Sequence, residues 1–125
     1  MRTGSPRNAL FKGQHRAEYA WFSIVGGMPL ISMSAERAAS QIISACRYGR
    51  AKATLSTFAK FAAAANTLAP ELMADATSLV ASLLPARGGI GRTAATGYDS
   101  ESTWSPSKLT TLNERAAVRN NEVLH

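Results

Sequence analysis

The segment SAERAASQIISACRYG, residues 34–49, decides how the rest of the chain is interpreted. Its apolar residues recur at steps of three and four, which is the spacing of one helix face. Ser34 is a typical N-cap residue, and Glu36 lies in the first turn, where the helix dipole favours a carboxylate. We therefore predict an amphipathic helix over 34–48. Cys46 falls on its apolar face, and we expect that thiol to pack as a small hydrophobe rather than act as a nucleophile.

A short alternating segment follows this helix. Ala53 and Leu55 fall on one side of the segment 52–56 and polar residues on the other, which predicts a β-strand. One strand leaves its own backbone N–H and C=O groups without partners. The predicted fold class is therefore mainly α with one short β-strand, and the partner of that strand must come from another part of a larger sheet.

Two further helices are predicted at 58–68 and 70–84, separated by Pro70. Their apolar stripes are large, and their only charged residues are Lys60, Glu71 and Asp75. Three roles remain open for these stripes: packing on a parent domain, forming a subunit interface, or lying on a membrane surface. We rank them in that order. The membrane surface comes last because a helix bound there usually has a strongly basic face, which these two helices lack.

The remaining segments flank this helical region. Residues 9–25 are compatible with one or two short helices interrupted by Gly13. Residues 86–104 are rich in Gly, Ser and Thr and predict a flexible linker. Ser105-Pro106 resembles an N-cap followed by a proline at the first helical position and predicts a polar helix to about Arg119. The expected organisation is thus a segment 1–85, a linker 86–104 and a helical tail 105–125.

Composition narrows the functional classes. Hydrophobic residues make up 46% of the 125 residues, but many of them are alanine, so the core that can form is thin. The formal net charge is +6. The basic residues are spread along the chain rather than clustered, and no helix concentrates them on one face, so we do not expect nucleic-acid binding.

Several other site types are not expected. The single cysteine excludes an internal disulfide and fits a reducing compartment. No Cys, His, Asp and Glu cluster has metal-ligand spacing, and His15 and His125 are far apart. The sequence has no signal-peptide pattern and no apolar run of about 18 residues, so we expect a cytoplasmic location.

Taken in order, the segments resemble the C-terminal part of a bacterial short-chain dehydrogenase/reductase. Met1-Arg2-Thr3 is similar to the stretch after that family's Pro-Gly turn, and the run from Phe11 to Phe22 is similar to its mobile lid. Residues 34–49 resemble the helix before the last strand, and residues 53–56 resemble that strand. The tail, with Ser105-Pro106 and 120–123, resembles an extension found in a subset of these enzymes.

The resemblance implies a fold and an activity. The chain would complete an α/β Rossmann-type, doubly wound domain, and the intact parent would transfer a hydride between NAD or NADP and an alcohol or carbonyl. It implies that Thr3 contacts the cofactor and that Tyr19, Trp21 and Phe22 belong to the wall of the substrate pocket. The partners that it implies are the missing N-terminal half of the domain and, as a further alternative, other copies in a homo-oligomer.

Two motifs of the family are missing from the sequence. The only glycine cluster, residues 88–91, follows a helix and a proline rather than a strand, so we do not expect it to hold a pyrophosphate. Tyr48 and Lys52 have the spacing of the catalytic Tyr–Lys pair, but Gly49 ends the helix between them. We therefore expect no catalytic residue, and neither activity nor cofactor binding, in this chain alone. The alternative is a small helical interaction module, self-associating or membrane-surface bound through residues 58–84.

Overall fold

The computed structural model describes residues 1–123, and within them the chain is mainly helical with a small antiparallel sheet. Three 3-10 turns supplement the regular elements, at Ser5–Asn8, Tyr98–Ser100 and Lys108–Thr110. The helices and strands, in chain order, are β1 (Leu10–Phe11), α1 (His15–Gly27), α2 (Ala35–Arg47), α3 (Thr57–Leu68), α4 (Pro70–Ser82), β2 (Ala95–Thr96) and α5 (Thr111–Arg119).

The core forms where the two ends of the chain meet. Helix α1 packs against α5 and against all three 3-10 turns. The buried apolar side chains are few and mostly small: Phe11, Tyr19, Ala20, Ala38 and Ala117. Polar links then tie the N-terminal turn to the C-terminal segment: Arg7 forms an ion pair with Glu114, and the amide of Asn8 donates to the carboxylate of Glu122 at 2.7 Å.

The helix predicted at 34–48 is confirmed as α2. The hydroxyl of Ser34 accepts a hydrogen bond from the backbone N–H of Arg37 at 3.3 Å. Hydrogen bonds from the backbone at the start of the helix and from Ser34 and Arg119 lower the pKa of the Glu36 carboxyl. The expected packing of Cys46 is not found within residues 1–123, where this thiol is exposed. Ala38 is the only buried residue of α2, so the rest of residues 1–123 leaves most of the apolar face, including Ile42 and Ile43, exposed.

The predicted strand at 52–56 is wrong for the described residues. This segment is irregular, since no neighbouring backbone offers it a ladder of hydrogen bonds. The sheet forms elsewhere: β1 pairs with β2 in antiparallel register, with Leu10 opposite Thr96 and Phe11 opposite Ala95. The backbone of Gly97 lies so close to Pro6 and Arg7 that a Cβ atom there would be 2.2 Å from the Pro6 carbonyl oxygen.

The predicted linker therefore contains ordered elements. Residues 95–100 form β2 and a 3-10 turn, and the glycine cluster is joined to Gly13, whose carbonyl accepts from the N–H of Ile90 at 3.0 Å. The C-terminal helix begins at Thr111 rather than at Pro106. Ser107, not Ser105, provides the cap for the 3-10 turn that leads into it.

Helices α3 and α4 confirm the predicted boundaries to within two residues. Ser56 is the N-cap of α3, and its hydroxyl accepts from the N–H of Ala59 at 3.0 Å. Ala69 alone joins the two helices, which pack mainly against each other. Neither helix has a buried residue. The apolar stripes of both helices therefore remain uncovered by the rest of residues 1–123.

Candidate substrate site

An apolar hollow of about 420 Å³ lies between the first 3-10 turn, β1 and α1. Its lining residues are Ser5, Pro6, Ala9, Leu10, Phe11 and Phe22. Two ring contacts fix the aromatic wall: Phe11 lies 5.7 Å from Tyr19 in an edge-to-face arrangement and 6.1 Å from Phe22. An apolar concavity with one hydroxyl at its rim is suited to a small, largely hydrophobic ligand.

The three aromatic residues predicted for the pocket wall occupy different environments. Phe22 lines the hollow. Tyr19 is 1% exposed and packs against Phe11, so it supports the wall from within the core. Trp21 is half-buried and contacts Phe22 edge to face, with ring centroids 5.3 Å apart. Leu10 was missed as a lining residue, because a two-residue strand is too short for its alternation to be recognised.

Thr3 lies beside this hollow. Its hydroxyl is 2.8 Å from the Ser5 hydroxyl and accepts a hydrogen bond from the Ser5 backbone N–H at 3.3 Å. Its carbonyl accepts from the side-chain amide of Asn120 at 3.3 Å. A hydroxyl has one proton and two lone pairs, so Thr3 can keep the contact with Ser5 and still bind an amide or a phosphate.

A serine and a histidine also come together, at the start of α1. The Nδ1 atom of His15 is 2.9 Å from the Ser100 hydroxyl, which in turn donates to the Thr96 carbonyl at 2.6 Å. Because the only proton of Ser100 goes to Thr96, its oxygen accepts from His15. Ser100 is fully buried. The pair therefore joins α1 to the 3-10 turn and does not present a nucleophile.

A second concavity, of about 460 Å³, is basic. We call it the basic cavity; its polar lining includes Ser44, Tyr48, Arg50, Lys52, Thr54 and Lys60, and no carboxylate. Tyr48 and Lys52 thus share a cavity, although α2 ends at Arg47 and they do not share a helix face. The signal for this cavity was in the sequence: no Asp or Glu occurs from residue 37 to residue 70.

Two structural findings concern other site types. Within residues 1–123, no three His, Cys, Asp or Glu residues are grouped so that they could hold a metal ion. No helix in that part of the chain combines the length and the apolar character that crossing a membrane requires.

We compared the chain with protein-family models, with curated proteins and with solved structures, and none of the three comparisons finds a match. The function therefore has to be argued from the residues and their geometry.

Proposed function

We propose that this chain is the C-terminal part of an NAD(P)-dependent short-chain oxidoreductase and that it is inactive without the N-terminal half of the domain. The observation that carries the proposal is the position of Thr3 one hydrogen bond from the rim of the apolar hollow. Hydride transfer requires the nicotinamide to lie against the substrate, so a cofactor contact and a substrate wall must be neighbours. The bound cofactor supplies or accepts the hydride.

The uncovered surfaces support the same proposal. Ile42 and Ile43 of α2 are exposed, and the irregular segment 52–55 forms no backbone–backbone hydrogen bond in the described part of the chain, as expected of a helix and a strand segment that lack their sheet. A doubly wound sheet contributed by an upstream segment would cover the helix and pair with the strand. The same upstream segment would bring the catalytic tyrosine and lysine and the glycine-rich loop.

Within this proposal, the described residues have limited roles. Thr3 would hold the nicotinamide amide or a phosphate through its hydroxyl. Phe11 and Phe22 would exclude water from the reacting atoms. The residues present do not fit the pyrophosphate, because the glycine cluster at 88–91 bonds to Gly13 instead of opening a helix.

Calorimetry with NADH or NADPH tests the cofactor assignment. We expect no saturable binding at micromolar concentration by the 125-residue chain. We expect binding and turnover by the product of a reading frame that continues upstream through the Met1 codon.

In that longer product, Thr3→Ala should raise the KM for the cofactor roughly 10-fold, which is the value of one lost charge-assisted or amide hydrogen bond. The control Thr103→Ala, at an exposed position, should leave this KM unchanged. Saturable binding by the short chain, or a longer product without binding, would contradict the proposal.

Labelling of Cys46 provides a second test. In the 125-residue chain we expect a thiol reagent to label Cys46 within about threefold of the rate in urea, because the thiol is exposed. In the longer product the sheet should cover this face of α2 and slow the labelling at least about 10-fold. Equal rates in the two proteins would show that nothing upstream packs on α2.

A further inference from the structure

Helices α3 and α4 present an apolar surface that the rest of residues 1–123 leaves open. Met73 is partly buried, but eight large apolar side chains in residues 57–84 are 45% exposed or more: Phe58, Phe61, Leu68, Leu72, Leu79, Val80, Leu83 and Leu84. Isolated exposed apolar residues are ordinary, but eight large ones within one packed helix pair and the two residues after it are typical of an interaction site. This surface lies outside the apolar hollow and outside α2.

Cations flank this helix pair in the sequence on both sides. Arg47, Arg50 and Lys52 precede it, and Arg87 and Arg92 follow it. No acidic residue accompanies them, since the chain has none at 37–70 and none at 76–98. An apolar body between acid-free basic flanks is the arrangement that favours contact with an anionic lipid surface, where cations lie at the level of the head groups.

The basic cavity places such cations next to the N-terminal end of α3. Lys60 belongs to the first turn of α3, and Arg50 and Lys52 come from the segment that leads into it. None of these three residues forms an ion pair with a carboxylate in the described part of the chain. Three unpaired cations around one concavity repel one another, and an anion bound between them would remove that repulsion.

We propose that the α3–α4 helix pair docks on the surface of an anionic phospholipid bilayer and that the basic cavity holds the phosphate of a lipid head group. The apolar side chains enter the acyl-chain region. Arg50 binds the phosphate through its guanidinium group, which matches two phosphate oxygens, and Lys52 and Lys60 add point charges.

The dimensions fit a surface-bound segment. The helices have 12 and 13 residues, which corresponds to lengths of about 18–20 Å. The hydrocarbon core of a bilayer is about 30 Å thick, so each helix is too short to cross it. An amphipathic helix that lies in the interface buries its apolar face only about 5–10 Å deep.

The charge distribution favours lipid over a second copy of the chain. The helix pair carries one positive charge, Lys60, and two negative charges, Glu71 and Asp75, for a net charge of −1, while the whole chain has a net charge of +6. Two copies of a chain with this net charge repel each other, whereas an anionic bilayer attracts the chain.

Flotation of the full chain with vesicles tests the proposal. We expect binding to vesicles of 30% phosphatidylglycerol in phosphatidylcholine. Binding to pure phosphatidylcholine should be roughly 150-fold weaker, because the attraction of all three cavity cations is lost at about 1 kcal/mol each. Phe61→Ser with Leu72→Ser, both at exposed positions, should lower binding roughly 100-fold. Arg50→Gln with Lys52→Gln should lower it about 25-fold. Equal binding of the neutral and anionic vesicles would overturn the proposal.

The matched control removes the same number of positive charges from positions outside the cavity. Arg16→Gln with Lys108→Gln removes two exposed cations and should weaken binding less than about threefold, because those residues are not part of the docking surface. An equal loss of vesicle binding in both double variants would show that general charge attraction, and not the cavity, explains the binding. That result would overturn the head-group site. A lipid-free dimer that Phe61→Ser with Leu72→Ser converts to a monomer, with vesicle binding unchanged, would identify a second copy as the partner instead.

Photolabelling of the unmodified chain gives an outcome that does not depend on how any variant folds. A phosphatidylglycerol with a diazirine in its acyl chain should label peptides from residues 57–84. Labelling confined to other segments, or no labelling of vesicle-bound chain, would overturn the proposal.

Discussion

Replacing Gly4 with alanine is expected to destabilise the core by about 3–5 kcal/mol and to remove the unfolding transition. Gly4 has φ +89°, and a Cβ atom at this position would lie 2.3 Å from both Cα and Cβ of Ala117. Ala117 is fully buried on α5. Neither backbone can move away without separating the N-terminal turn from α5. Urea unfolding followed by tryptophan fluorescence measures the effect, since Trp21 belongs to α1 and is half-buried.

Gly49→Ala is the matched control. Gly49 also has a positive φ, +61°, but no atom lies within 4 Å of the Cβ position. Only the backbone strain remains, and it should cost about 1–2 kcal/mol locally at the end of α2. Equal losses in the two variants would show that the steric contact between Gly4 and Ala117 does not limit the core.

Tyr19→Ala should lower the free energy of unfolding by about 3–5 kcal/mol. Tyr19 is the largest fully buried side chain, and it forms the edge-to-face contact with Phe11 that links α1 to the sheet. With so few other large apolar side chains buried, the neighbours cannot fill the space that its ring leaves. The midpoint of urea unfolding should fall accordingly, or the transition should disappear.

Tyr48→Ala removes the same ring from an exposed position and is the control. Tyr48 directly follows α2 and is 77% exposed. We therefore expect the free energy of unfolding to change by no more than about 0.5 kcal/mol. A loss at Tyr48 as large as the loss at Tyr19 would mean that α2 is covered by contacts that the described residues do not make.

Helix α2 shows what a local pattern can predict. Its N-cap, its acidic first turn and its glycine end are interactions within a few residues, so they could be recognised without tertiary structure. The burial of Cys46 was a different kind of inference. It required a surface that covers the apolar face, and periodicity indicates that a face is apolar but not what lies against it.

The strand prediction failed for a related reason. Ala53 and Leu55 alternate correctly, but a strand exists only as one member of a ladder. Leu10 and Phe11 have too short an alternation to be recognised, yet they form a ladder because Gly97 lets β2 approach the first turn. The candidate site was affected in the same way: Phe22 was predicted as a wall residue, while Leu10 was not.

By itself, the sequence determined where α2, α3 and α4 lie, that most of the chain is helical, and that α3 and α4 have large apolar stripes with few charges. These properties depend on side-chain spacing, caps and proline, all of which act over one or two turns. Tertiary structure alone decided that the segment 95–100 folds back on the N-terminal turn, that Tyr19 is buried while Cys46 is exposed, and that Arg50, Lys52 and Lys60 surround one cavity. Such outcomes depend on which distant backbones can approach each other, and here that approach requires the absence of a side chain at Gly4 and Gly97.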